Sequence, residues 1–335
     1  MDLTTRYMDL DLKNPLVASA SPLNAELDNI RCLEDAGVAA IVLPSLFEER
    51  IETQMRHNGM MTAMDLESSP EALSYFPHAE ELGPQQYLEL IRRASSAVDI
   101  PIIGSLNGTT DEGWIAHAEL IEQAGASGLE LNIYYIPTDL FLSGRDVEQH
   151  YIDIVRAVRP AIDIPLAVKL GPYFSSIGQI AMELVSAGAN ALVLFNRFYQ
   201  PDIDLTKLRV LNDLQLSKAN EIRLPLMWIA VLSGRIEASL AASTGVENAE
   251  QVIKYLLAGA DAVMTTSALL RNGAHYVQQL LAGTMSWLAA RNIDSVVQIR
   301  GLLSQSRYRN PDSFGRENYM KILGGYETPE LERGR

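Results

Sequence analysis

Short apolar runs alternate with amphipathic stretches along most of the chain, and the punctuation between them repeats. Four times a glycine and small residues open an apolar run: GVAAIVLPS from Gly37, GASGLELNI from Gly125, GANALVLFN from Gly188 and GADAVMTTS from Gly259. Each run follows an amphipathic stretch, so each glycine falls where a helix ends and a left-handed residue is needed. Two further runs follow an acidic residue, IPIIGSLNG after Asp99 and IPLAVKLGP after Asp163. NPLVASAS from Asn14 and EASLAASTGV from Glu237 bring the set to eight apolar strands.

The intervening stretches carry helical spacing. Tyr87, Ile91, Ala94 and Val98 share one face, as do Val147, Tyr151, Ile154 and Val158. The segment PLMWIAVLSGR is apolar enough for a strand. A strand there would leave no crossover before EASLAASTGV, and parallel strands need one. It is therefore expected to be a helix ending at Ser233-Gly234. Strands apolar on both faces and alternating with helices indicate a parallel sheet. Eight of them indicate a closed (β/α)₈ TIM barrel over residues 1–285, with a C-terminal helical extension over 286–335.

Composition narrows the function. Of 335 residues 47% are hydrophobic and the net charge is −15, with the acid spread rather than gathered in a tail. That argues against nucleic acid or anionic membrane as partner, since both select basic patches. The single cysteine, Cys32, lies mid-helix, permits no intrachain disulfide, and is expected to serve packing. MDLTTRYMDLDL has neither a basic nor an apolar leader region, and LPLMWIAVL is too short to span a bilayer. A cytoplasmic protein acting on a small-molecule substrate is expected.

Barrels of this kind carry their chemistry at the C-terminal ends of the strands. Those ends are Ser19-Ala20-Ser21, Pro44-Ser45, Asn107-Gly108, Asn132, Lys169, Asn196-Arg197, Thr244-Gly245 and Thr266-Ser267. The set holds no histidine or carboxylate pair, so metal ligation is not expected. The five histidines fall mainly on helices or long loops and are expected at the surface. Thr244-Gly245 and Thr266-Ser267 each lead into a helix, late in the barrel, where phosphate is often bound; ordinary N-capping is the alternative. Lys169 closes the run LAVKL. From position alone it is a Schiff-base amine, a flavin contact or a lysine reaching for solvent.

Taken in order, these motifs resemble the class 1 dihydroorotate dehydrogenases over about residues 1–285. NPLVASAS resembles that family's strand-1 turn beneath the flavin. GLELNIYY resembles the strand-4 motif whose asparagine contacts flavin and substrate, here Asn132. LAVKLGPYF is similar to the strand-5 motif, with Lys169 at the lysine facing the flavin pyrimidine. LVLFNRF puts Asn196 at the strand-6 substrate asparagine, and TGV and TTSALL resemble the two phosphate loops. The resemblance implies FMN, held by Ser19, Ala20, Ser45, Asn107, Asn132, Lys169, Thr244, Gly245, Thr266 and Ser267. It places substrate at Asn132 and Asn196, and Arg197 beside them is a further substrate-binding candidate.

The departures from the family are specific. Tyr135 stands where the family has its catalytic Cys or Ser, and an ordinary tyrosine, with a pKa of about 10, is a poor base at neutral pH. Pro44 replaces the strand-2 lysine, Arg197 replaces a small hydroxyl residue, and the substrate loop has become DLESSPEALSYFP. Arg197, Tyr134, Tyr135 and Tyr199 are candidates for a reshaped pocket lining, with aromatic packing at the rim the alternative for the tyrosines.

The resemblance thus implies an FMN-dependent oxidoreductase acting on CH–CH groups, as in oxidation of dihydroorotate to orotate in pyrimidine biosynthesis, with Lys169 catalytic. Turnover of dihydroorotate itself is expected to be very weak or absent. The alternatives are an oxidoreductase for a different substrate, an FMN-binding protein without dehydrogenase activity, and a flavin-free phosphate-binding lyase using Lys169. With no cysteine cluster, an iron–sulfur centre would have to come from a partner. Either a homodimer or a partner electron-transfer subunit fits, with Tyr319, Ile322 and Leu323 available to pack on the barrel or on a second subunit.

Overall fold

The computed structural model describes residues 1–48, 83–108, 111–197, 200–211, 214–308, 311 and 314–325. Tyr199 and the substrate-loop segment 65–77 lie outside them.

The eight expected strands form. They are β1 (Leu16–Ala18), β2 (Ala40–Val42), β3 (Ile102–Asn107), β4 (Gly128–Asn132), β5 (Leu166–Leu170), β6 (Ala191–Leu194), β7 (Ser239–Ala242) and β8 (Ala262–Thr265). Each pairs in parallel with its neighbours in chain order, from Val17 opposite Ala40 to Leu16 opposite Val263, so the sheet closes on itself. The fold is a (β/α)₈ TIM barrel.

Among the described residues, seven helices cross between successive strands: α1 (Leu27–Ala36), α2 (Pro84–Ala97), α3 (Asp111–Gln123), α4 (Gly144–Val158), α5 (Ile177–Ser186), α6 (Arg223–Leu232) and α7 (Ala249–Ala258). Beyond β8 follow α8 (Ser267–Asn272), α9 (Tyr276–Ala289), α10 (Val296–Ile299) and α11 (Phe314–Gly324). The ambiguous run PLMWIAVL lies within α6, the crossover that parallel pairing of β6 with β7 requires. The four repeat glycines sit at φ of 99–119°, a region open to glycine without the Cβ penalty.

Alternation along the strands separates two cores. Leu129, Leu131, Val168 and Leu170 point outward to the helices. Val17, Ala40, Val42, Ile103, Ala167, Ala191, Val193, Ala241, Ala262 and Met264 face the barrel axis. The alanines leave room at the barrel floor, which is filled from outside. An antiparallel hairpin pairs Thr5–Tyr7 with Leu10–Leu12, and its turn carries Met8 and Asp9 at φ 41° and 62°. Tyr7, Met8 and Leu12 from this hairpin are buried in the inner core. A side chain on Gly128 would stand 2.7 Å from Met8 Cε, so the glycine in β4 makes space for the plug.

Several expectations are corrected. Cys32 is exposed on α1, because it falls on the side of the helix opposite Ile30 and Leu33. His117 is buried on α3, whose inner face it shares with Trp114, Ala118 and Ile121. Of the two placements given for Tyr319, Ile322 and Leu323, packing on the barrel does not occur, since all three are exposed on α11. An unexpected hairpin, Asp202–Asp204 with Arg209–Leu211, rises after β6 and exposes Ile203, Leu205 and Leu208. Among the described residues no helix is long and apolar enough to cross a membrane.

Candidate active site at the barrel mouth

Register decides which polar groups meet. Asn107 pairs with Asn132, and Asn132 with Lys169, so three neighbouring strands bring polar residues to the mouth at one level. One step deeper, Ser105 pairs with Glu130 and Glu130 with Ala167. Residues two apart on a strand share a face, so Glu130 lies inside the barrel beneath Asn132, and Ala167 lies beneath Lys169.

The amides and hydroxyls form a connected chain across the mouth. Asn196 Nδ2 donates to Asn132 Oδ1 at 2.6 Å, and Asn132 Nδ2 donates to Ser45 Oγ at 3.4 Å. Ser45 and Ser105 share a hydroxyl–hydroxyl bond of 2.8 Å. Tyr87 OH accepts from Ser105 N at 2.8 Å and donates to Ser105 O at 3.2 Å. Burial holds the Tyr87 hydroxyl well above its ordinary pKa, so it remains a neutral donor and acceptor.

Lys169 is buried, 7% exposed. Its Nζ lies 3.5 Å from Glu130 Oε1 and 3.5 Å from Ser19 Oγ. Solvent-reaching is excluded by this placement. Ser19 also accepts Thr266 Oγ1 on its carbonyl at 3.3 Å, which ties β1 to the turn after β8. Ala20 packs on the inner core beside it.

A second polar group gathers where the chain leaves β7 and β8. Ser217 Oγ donates to Ser267 Oγ at 2.9 Å and accepts from Gly245 N at 3.2 Å, while Ser217 N donates to Ser267 Oγ at 3.1 Å. Arg271 pins this segment through Leu216 O at 3.1 Å and Ser217 O at 2.7 Å. Thr244, at φ 82°, donates to Phe195 O at 3.2 Å. Both turns lead into helices as expected, α7 and α8. Asn248 caps α7 by accepting from Glu250 N, so Thr244-Gly245 form a tight turn ahead of the helix rather than its first turn.

Two expected residues, Tyr135 and Arg197, engage partners away from the amide chain. Tyr135 sets its ring against His150 of α4, 5.4 Å between centroids. Arg197 Nε donates to Glu221 Oε2 at 3.1 Å, near the start of α6. Tyr134 is half-buried on the loop after β4. Conversely, the sequence pattern did not single out Glu130, Ser105 or Ser217. Glu130 was findable, since a carboxylate two residues before Asn132 must share its face. Ser217 carries no local signal, because its place depends on how the long segment after β6 returns to the barrel.

The family model described as dihydroorotate dehydrogenase matches residues 79–288. The chain belongs to the dihydroorotate dehydrogenase family. Members of this family are flavin-dependent oxidoreductases acting on CH–CH groups. A putative dihydroorotate dehydrogenase A (fumarate) from Aeropyrum pernix is 26% identical over 312 residues, covering 90% of this chain and 97% of that protein. The dihydroorotate dehydrogenase B (NAD(+)) catalytic subunit from Methanothermobacter thermautotrophicus is 23% identical over 314 residues, covering 90% and 98%. The corresponding subunit from Bacillus pumilus is 32% identical over 179 residues, covering 51% of this chain and 56% of its own.

Proposed function

We propose that this protein is an FMN-dependent oxidoreductase that dehydrogenates a CH–CH bond in a small molecule, with dihydroorotate a poor substrate. The observation that carries the reading is the buried Lys169 beside the chain of Asn196, Asn132 and Ser45 at the mouth. A flavin ring needs donors and acceptors along one edge and a cation near its pyrimidine, and this set offers both. The hydroxyls and amide of Ser217, Gly245 and Ser267 are neutral donors of the kind that surround a phosphate. FMN, when bound, would accept a hydride from a substrate carbon.

The protein's own groups would then divide the work. Lys169 would supply positive charge where negative charge develops. Asn132 and Asn196, already joined, would orient a planar substrate over the ring. The neighbouring proton needs an acceptor within about 3 Å, and Tyr135 at the family's base position is turned to His150. That orientation supports weak turnover of dihydroorotate. It also favours the second reading, an FMN-binding protein without dehydrogenase activity.

The flavin-free lyase is disfavoured on chemical grounds. A Schiff-base lysine needs a free lone pair, whereas Lys169 faces a carboxylate at 3.5 Å. The names of relatives that are catalytic subunits support assembly with an electron-transfer partner, with a homodimer the alternative. Ultraviolet–visible spectra of the purified protein, before and after anaerobic dihydroorotate, test the proposal. A colourless protein that takes up no added FMN overturns it. A bound flavin unreduced by any CH–CH donor selects the second reading.

A further inference from the structure

We infer that Glu130 is a positioning residue, the counter-charge that holds Lys169 as a fixed cation at the floor of the site. Glu130 is 1% exposed, and among the described residues neither carboxylate oxygen has a hydrogen-bond partner. Its one close charged neighbour among them is Lys169 Nζ, 3.5 Å from Oε1. Ala167, Ala191 and Val193 line the same interior, and the neighbouring Ser105 hydroxyl is taken up by Ser45. Tyr7 of the plugging hairpin is buried in the same inner core. Burial, and then the Glu130 and Asp261 charges, hold the Tyr7 hydroxyl far above its ordinary pKa, so it stays neutral.

Stability does not account for this arrangement. A buried ion pair returns little over apolar residues of similar volume, and two carboxylate oxygens left without hydrogen bonds make the balance worse. Removing either partner alone leaves the other as an uncompensated buried charge, which the protein relieves by neutralising it. Without Glu130, Lys169 would therefore tend to lose its proton and with it the positive charge at the mouth. With Glu130, the ammonium is fixed by one ionic contact from β4 and by Ser19, the residue directly after β1. The carboxylate sits one layer too deep to meet a ligand at the mouth, so it acts through the lysine.

The test compares wild type with Glu130→Gln, Glu130→Asp and Lys169→Met, each first checked for folding by circular dichroism. In flavin-free protein, Lys169 is labelled with trace acetic anhydride at neutral pH and quantified by mass spectrometry. Glu130→Gln should label at Lys169 about tenfold faster than wild type, because a neutral amine is the reactive form, and Glu130→Asp should stay close to wild type. If Glu130→Gln does not fold, Glu130→Asp carries the labelling test at higher pH: the proposal then expects labelling rates within threefold of wild type, and a larger rise overturns it. Equal labelling in wild type and folded Glu130→Gln overturns the inference.

The second readout rests on the flavin reading. In FMN-loaded protein, Glu130→Gln should lower the flavin midpoint potential toward that of Lys169→Met. About tenfold in the two-electron equilibrium, or ~30 mV, is expected. A raised potential would mean that Glu130 acts by its own charge rather than through Lys169, and overturns the inference. Failure of wild type to bind FMN would refute the flavin reading and leave the labelling result to decide on Glu130.

Discussion

Asn196 on the turn after β6 donates its side-chain amide to Asn132 at the end of β4, 2.6 Å away, across the top of Lys169's strand. The bond spans two strands and fixes both amides before any ligand arrives. Asn132 in turn reaches Ser45 at 3.4 Å, so it is the hub of the mouth. Asn132→Ala should weaken FMN binding by about five- to tenfold, the loss of one hydrogen bond of about 1 kcal/mol. Fluorescence titration of flavin-free protein measures this. An unchanged affinity would remove Asn132 from the cofactor site.

Gly245 is a poor place to test phosphate binding. It has φ 73°, and an added Cβ would lie 2.7 Å from Ile222 Cγ2, 2.9 Å from Ile222 N and 3.0 Å from Lys218 O. Two of these are backbone atoms that cannot turn aside. Gly245→Ala should therefore cost about 1–3 kcal/mol of stability through strain and overpacking, with or without cofactor. Denaturant unfolding without flavin should show the loss in full.

Ser267→Ala separates phosphate recognition from folding. Its hydroxyl belongs to the Ser217–Gly245 group, and the change adds no atoms. FMN affinity should fall by about five- to tenfold, on the order of 1 kcal/mol. Riboflavin, which lacks the phosphate, should bind the variant and wild type alike. Equal losses for both ligands would place the effect in loop packing.

The barrel was legible in the sequence because each of its signals is local. Glycines ended helices at Gly37, Gly125, Gly188 and Gly259, and the demand for a crossover settled α6. The polar ends were legible for the same reason, since a parallel barrel gathers its strand ends at one mouth. What escaped were properties set by tertiary return of the chain. Ser217 reaches Gly245 and Ser267 only once the segment after β6 folds back, and Tyr135 turns to His150 because α4 packs there. Cys32 escaped for another reason: mid-helix position does not say which face a residue occupies. Glu130 was visible as a letter, but its importance appears only when its oxygens are found without hydrogen bonds.

Asp261 predicts a pH dependence of stability. It precedes β8, accepts from Leu240 N at 2.8 Å and pairs with Arg300 at 2.6 Å. Burial raises its carboxyl above the ordinary value of 3.8, although the Leu240 hydrogen bond and Arg300 oppose the shift. The folded state thus binds this proton more readily than the unfolded chain, so its contribution to stability falls as pH rises through the window above 3.8. Asp261→Asn removes that slope. The stability difference between variant and wild type, measured by urea unfolding at acid and neutral pH, should shift in favour of the variant as pH rises. A constant difference would show that Arg300 fully offsets the burial.

Dihydroorotate oxidation should be very weak or absent in the FMN-loaded protein. Two features bear on it independently. By the resemblance, Pro44 takes the place of the strand-2 lysine and Tyr135 that of the base, and the Tyr135 ring is set against His150, 5.4 Å between centroids. A positioned base contributes typically ~10²–10⁴ in rate, and the missing cation adds to the deficit without adding strictly. Tyr135 lies on the loop after β4, so its part in any residual turnover is tested directly by removing its hydroxyl. Anaerobic stopped-flow mixing with dihydroorotate distinguishes the cases. No bleaching, or bleaching over minutes that is lost in Tyr135→Phe, is expected. Bleaching within milliseconds to seconds at neutral pH, retained in Tyr135→Phe, would mean that another group takes the proton and that dihydroorotate is the substrate after all.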